Sequence, residues 1–329
     1  MKKILVVLTS IALLGCASQK SVIKSQKIES GEYSVTVEQM SFESREIAKG
    51  SVETRNEGNV SILLPGNYDT SGKDYAVVYY LNGHSGNNRE FERAQAAYIN
   101  YNRENPDREL IVVAVNGYGP YRGSFYADSK ITGNWESYFL KEVMPRVEKE
   151  YRIKREKESR GLAGFSMGGS CTLNIALKRS DLFGAIYALS PGVISGLDQL
   201  EIAVKDWKAY TDDFRKGYTC AYAEEELDYP QFDNTSEDKA LINKWLIGYG
   251  SYQQRVEEYL KGRERINRIM IVYGFYDYYS WIPEGSRWLY EHMSGLELPV
   301  ELYKHDGGHD FNSNIVEESM LPFFGEALQ

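Results

Sequence analysis

Six short, nearly uninterrupted apolar runs constrain this chain more than any other feature: Tyr75 to Leu81, Leu110 to Val115, Gly161 to Phe165, Ala185 to Leu189, Ile269 to Tyr273 and Pro299 to Tyr303. Each is soon followed by Gly or Asn. Runs of this length and continuity suit strands buried on both faces, as in a parallel sheet. Helical patterns lie between them. The clearest is Trp135 to Tyr151, where Phe139, Val143, Val147 and Tyr151 recur every four residues and Pro145 predicts a kink. The alternation predicts an α/β fold, a doubly wound, mostly parallel sheet with helices on both faces. Upstream, Tyr33 to Ser44 and Val60 to Leu64 read as antiparallel edge strands.

One stretch breaks this rhythm. Almost eighty residues separate the strand ending near Ser190 from the one starting near Ile269, where one helix would suffice. The segment 193–261 is read as a helical cap inserted over the sheet's functional edge. Helical stretches are expected at Glu201 to Lys216, Asp238 to Leu246 and Tyr252 to Arg263. An acidic, aromatic segment around Glu224, Glu225, Glu226, Asp228 and Tyr229 lies among them. Its aromatic residues Trp207, Tyr210, Tyr222 and Tyr229 are candidates to stack on a sugar or phenolic ring, with Tyr222 and Tyr229 the substrate-binding pair singled out.

The amino terminus carries a separate signal. Lys2 and Lys3 precede an apolar run, Ile4 to Leu14, too short to span a bilayer. It ends in Leu13, Leu14, Gly15, Cys16, the pattern of a bacterial lipoprotein leader. Residues 1–15 are therefore expected to be a cleaved signal peptide, Cys16 the lipidated first residue, and 16–30 a flexible tether to a domain spanning 31–329. That implies an exported protein held at a membrane. The net charge of -9 argues against nucleic acid as a partner. Of the three cysteines, Cys171 and Cys220 remain, and no disulfide is expected between them, because Cys171 falls on the inner face of a predicted helix.

Gly164, Phe165, Ser166, Met167, Gly168 form G-x-S-x-G between a predicted strand and a predicted helix. That context is a nucleophile elbow, where glycines permit a tight, strained turn and the serine meets the positive end of the helix. A serine hydroxyl needs a base, and the chain has four histidines. His292 lies in an amphipathic helical pattern. His305 and His309 are four apart, but Gly307 and Gly308 forbid a helix between them, so no metal site is expected. His309 sits in a loop after the last strand and is the expected base. For the third member, Asp277 follows the Ile269 to Tyr273 run directly, whereas Asp306 and Asp310 are adjacent to His309 in sequence and badly placed to reach it. The N–H of Met167 and that of His84, in the loop Asn82 to Asn87, are the expected oxyanion donors. The chemistry requires no cofactor.

These blocks occur together and in order: LLPGNY (Leu63 to Tyr68), YYLNGHSG (Tyr79 to Gly86), GFSMGG (Gly164 to Gly169) and GGHDF (Gly307 to Phe311). In them the chain resembles the esterase D family of α/β hydrolases, which includes feruloyl and acetylxylan esterases, S-formylglutathione hydrolases, siderophore esterases and mycolyltransferases. Phe125, Tyr126, Thr132 and Glu136 also resemble the family's pattern before the nucleophile. The resemblance implies an α/β-hydrolase fold and the Ser166, Asp277 and His309 assignment. Asn82 departs from it, standing where a His is more usual, and the insertion is longer than in compact members. Combined with export, it implies a serine carboxylesterase acting on extracellular acetyl or feruloyl esters of glycans. A siderophore esterase, or a non-catalytic glycan-binding lipoprotein on the same scaffold, is the alternative.

Overall fold

The computed structural model describes residues 21–30, 33–210, 212–222, 231–246 and 251–328. The expected signal peptide, Cys16 and the segment containing Glu224 to Tyr229 lie outside them. Strands β1 (Val22–Ser30), β2 (Tyr33–Glu43) and β3 (Glu57–Leu64) form an antiparallel flank. β4 (Ala76–Leu81) and β5 (Leu110–Val115) follow, β5 pairing antiparallel with β3 and parallel with β4. The two-residue strands β6 (Asp128–Ser129) and β7 (Gly133–Asn134) make a small separate pair. The chain then adds β8 (Arg160–Phe165), β9 (Ala185–Leu189), β10 (Arg268–Gly274) and β11 (Val300–His305), all parallel. The sheet order is β1-β2-β3-β5-β4-β8-β9-β10-β11.

All six apolar runs are strands, and burial on both faces explains the continuity of those inside the sheet; β11, at its edge, leaves Tyr303 exposed. In β4, Val77, Tyr79 and Leu81 enter one core cluster, while Ala76, Val78 and Tyr80 enter the other. Side chains alternate across a strand, so a strand with helices on both sides has no polar face to show. The helical run predicted around Pro145 is present, α-helical at Trp135–Ser137, π-wound over Tyr138–Val143 and α-helical again over Met144–Glu150. The wide turn falls just before Pro145, which has no N–H to give the ladder.

The tether expected over 16–30 is corrected where the structure describes it. Val22–Ser30 is the outermost strand, paired along its length with β2. Ile23 and Ile28 pack against the two opposite core clusters, and the remaining polar residues suit an edge. Consequently neither β2 nor β3, both expected as edge strands, lies at the edge.

The insertion is helical: Leu197–Tyr210, Asp212–Tyr222, Ser236–Trp245 and Tyr252–Lys261. It has an aromatic core of its own. Trp207 packs on Tyr218 with ring centroids 4.8 Å apart, Tyr218 packs on Trp245 at 4.7 Å, and Trp207 meets Trp281 edge-on at 5.7 Å. Many of the 26 tyrosines serve cores like this one: Tyr79, Tyr80, Tyr98, Tyr126 and Tyr187 are all fully buried. Cys171 and Cys220 are buried and unpaired.

Candidate active site

Ser166 stands between β8 and the helix Met167–Lys178 with φ 54° and ψ −113°, a conformation that L side chains rarely adopt. Neighbouring backbone explains the flanking glycines. A Cβ at Gly168 would lie 2.0 Å from the Leu81 carbonyl oxygen, and one at Gly164 would lie 2.2 Å from the Gly168 carbonyl oxygen. Only glycine lets the helix start this close to β4 and β8. The strained turn is held by the Ser166 N–H, which donates to the Leu189 carbonyl at 2.8 Å.

Two other loops complete a polar chain at the same sheet edge. His309 Nε2 lies 2.8 Å from Ser166 Oγ, and His309 Nδ1 lies 2.7 Å from Asp277 Oδ2. The Asp277 side chain is fully buried, and its other oxygen accepts the Tyr279 N–H at 2.9 Å. Rings from Phe165, Tyr278 and Tyr279 surround the imidazole with centroids 5.0, 5.6 and 5.1 Å away. Asp277, and not Asp306 or Asp310, is the carboxylate that meets His309. β10 ends against β11, and the Phe275 and Tyr276 N–H groups donate to the His305 and Gly307 carbonyls, so the acid loop and the base loop are clipped together. The other histidines lie apart from this chain: His305 is buried with Nδ1 accepting the Gly307 N–H, and His292 stacks on Trp288.

His84 and Met167 line the same cavity as Ser166 and His309, a space of about 260 Å³. At the first position of its helix the Met167 N–H has no intrahelical acceptor, and neither it nor the His84 N–H takes another acceptor among the described residues. The His84 loop is held by Asn82 and Tyr126, which the sequence marked only through the family resemblance, and by Glu90, which it did not mark. Asn82, fully buried, takes the Gly117 N–H on Oδ1 at 2.8 Å and gives Nδ2–H to the Gly83 carbonyl at 2.8 Å. The Tyr126 hydroxyl donates to Asn82 Oδ1 at 2.9 Å and accepts the Asn82 N–H at 3.1 Å. Glu90 accepts the Gly83 N–H and the Tyr80 hydroxyl, and burial raises its pKa. The departure at Asn82 is therefore a structural hub rather than a neutral change. The imidazole of His84 bonds the Tyr121 carbonyl and the Ser85 hydroxyl, and desolvation pushes it down to about 4.

The insertion meets this cavity through Trp207 and Phe214, opposite Trp281, Ile282 and Tyr279. Phe214, 4.8 Å from the His84 ring, was not singled out from the sequence; it lies in a mostly charged stretch, DDFRK, with no pattern to mark it. Tyr222 is corrected. It lines a different, polar cavity with Cys171, Asn174 and Arg255, because the helix Asp212–Tyr222 turns its last residue away from Ser166. Tyr229 and the side chain of Tyr210 lie outside the described residues. Among the described residues no cluster of His, Cys, Asp or Glu has the arrangement of a metal site.

A doubly wound sheet, an elbow after β8 and functional loops at the carboxyl ends of the strands define the α/β-hydrolase fold. Within it, the chain belongs to the family described as Putative esterase, whose sequence profile matches residues 51–225. An esterase of Mycobacterium tuberculosis is 31% identical over 123 residues, covering 36% of this chain and 26% of that protein. A Xylanibacter ruminicola endo-1,4-beta-xylanase/feruloyl esterase is 28% identical over 180 residues, covering 53% of this chain and 23% of that one. The chain thus spans about a quarter of the length of these curated relatives. A ferulic acid esterase of Anaeromyces mucronatus, solved with ferulic acid, superposes with a TM-score of 0.60 over 91% of this chain and 92% of that one, at 20% identity, which is a likeness of fold.

Proposed function

We propose that this protein is a serine carboxylesterase working through an acyl-enzyme. The observation that carries the reading is the unbroken chain from Asp277 through His309 to Ser166, with contacts of 2.7 and 2.8 Å. In this mechanism Ser166 Oγ attacks the ester carbonyl while His309 Nε2 takes its proton. Asp277 holds the proton on Nδ1 and stabilises the imidazolium. The His84 and Met167 amides receive the oxyanion. His309 then protonates the leaving alcohol, and water, activated by the same imidazole, releases the acid and restores Ser166. A fluorophosphonate probe tests this directly: it labels the wild-type protein stoichiometrically and leaves Ser166→Ala unlabelled. Labelling that persists in Ser166→Ala sinks the assignment.

The ester favoured is a phenolic, feruloyl-like acyl group borne on a glycan. Trp207, Phe214, Trp281 and Tyr279 supply aromatic walls to the cavity beside Ser166, which suits a planar ring better than an acetyl group. The feruloyl esterase named among the relatives supports the same choice. The leader and Cys16 support an exported protein anchored by lipid. No helix among the described residues is long and apolar enough to cross a membrane. Cells fed labelled fatty acid incorporate it into the wild-type protein but not into Cys16→Ser; equal label in both refutes the anchor.

A further inference from the structure

Most aromatic residues of this chain are buried, but three exposed ones bracket the Asp277 carboxylate. Phe275 is 52% exposed, Tyr276 69% and Tyr278 57%. The backbone of these neighbours holds the Asp277 loop, but none of that requires the outer faces of their rings to stand in water. Leaving such rings in water costs burial energy that the fold does not recover.

The rings are held rather than loose. Tyr276 meets the edge of Phe275 at 4.9 Å and 80°, and the Lys304 ammonium lies 4.5 Å from the Phe275 centroid. Tyr278 packs on Tyr279 at 4.3 Å. The Tyr276 N–H is tied to the Gly307 carbonyl at 2.9 Å, so the two tyrosines stand beside the His309 loop. Preorganised rings of this kind lose little freedom when a flat partner lies on them.

Their position says what reaches them. Of the residues lining the Ser166 cavity, Tyr278 is the one exposed residue; Trp207, Trp281, Ile282 and Met167 are buried and the others are at most half-exposed. The mouth therefore opens across Tyr278. An ester whose acyl group fills a cavity of about 260 Å³ sends its alcohol part out past that ring, onto the loop that also carries Tyr276 two residues away. Asp306 and Asp310, both exposed, stand on the neighbouring loop. Those carboxylates and the overall charge of -9 disfavour a polyanion or an anionic lipid surface, and they accept hydrogen bonds from hydroxyl groups. A neutral sugar offers both an apolar C–H face for a tyrosine ring and hydroxyls for the carboxylates.

We propose that Tyr276 and Tyr278, buttressed by Phe275 and Tyr279, form a stacking platform for the neutral oligosaccharide that carries the ester. The platform rests on the esterase reading for its substrate, but its binding can be measured without hydrolysis. Tyr276 lies outside the cavity lining and is the residue to change. Tyr276→Ala raises KM for a feruloylated arabinoxylan oligosaccharide about tenfold, keeps turnover of methyl ferulate within about twofold, and Tyr276→Trp restores the affinity. Equal losses on both esters, or none on the oligosaccharide ester, overturn the platform. Calorimetry of the unesterified oligosaccharide against Ser166→Ala separates the two readings. Binding that Tyr276→Ala abolishes supports the platform even if wild type hydrolyses neither ester, an outcome that sinks the esterase reading alone. Binding to phosphatidylcholine vesicles that needs Tyr276, with no oligosaccharide binding, replaces the sugar with a lipid surface and overturns the proposal.

Discussion

Two regions face each other across the Ser166 cavity and are built on different physics. On the sheet side, Ser166, Asp277 and His309 are held by directional hydrogen bonds, by a strained φ at the elbow and by glycines that no other residue can replace. On the insertion side, Trp207 and Phe214 reach the cavity chiefly through ring packing on Tyr218, Trp245 and Trp281, and the helix that carries Phe214 is tied near its far end by the Ser129 hydroxyl, which donates to the Cys220 carbonyl. Hydrogen bonds fix atoms to within a few tenths of an ångström, which proton transfer requires. Ring packing fixes shape and volume, which an acyl group requires, and it tolerates exchange of one ring for another. Under the proposed function, the first arrangement governs whether an ester is cut and the second governs which one.

Breaking the sheet side has the larger effect. Asp277→Asn keeps the loop but favours the wrong imidazole tautomer, so kcat on any ester falls roughly ten-thousandfold while the fold, read by circular dichroism, is unchanged. Asp306→Asn leaves kcat near wild type; the reverse ranking of these two variants transfers the acid role to Asp306. On the insertion side the expected change is smaller and depends on substrate. Phe214→Ala lowers kcat/KM for methyl ferulate about tenfold and for p-nitrophenyl acetate less than threefold, since a small acyl group never reaches the ring. Tyr222→Ala, in the separate polar cavity, alters neither value. If Phe214→Ala slows both esters alike, the insertion supports the catalytic loops instead of reading the acyl group.

The catalytic candidates were legible because each sits at the end of a strand that its own neighbours announce. A buried strand must be apolar, a turn at its end must hold Gly or Asn, and a polar residue just past it emerges at the sheet edge. Asp277, four residues past Tyr273, follows that rule, and so does Ser166. Strand β1 was not legible, since Val22 to Ser30 carries two lysines and two serines, and only pairing with β2 gives it a structure. The insertion's helices were legible in kind but not in facing. The expected helix Glu201 to Lys216 reached Phe214 but not Tyr222, whereas the structure has two helices, Leu197–Tyr210 and Asp212–Tyr222, and the second sends Phe214 to Ser166 and Tyr222 to Cys171.

By itself, then, the sequence determined the buried strands, the elbow and the order in which Ser166, Asp277 and His309 arrive at the sheet edge, because burial and backbone sterics act locally and leave a pattern in consecutive residues. The tertiary structure alone decided that Asn82, Tyr126 and Glu90 hold the His84 loop, that Phe214 and not Tyr222 lines the Ser166 cavity, and that Tyr278 is its exposed wall. Those outcomes depend on how helices and loops far apart in the chain rotate to satisfy one shared packing, and no local pattern encodes a rotation that only the completed core selects.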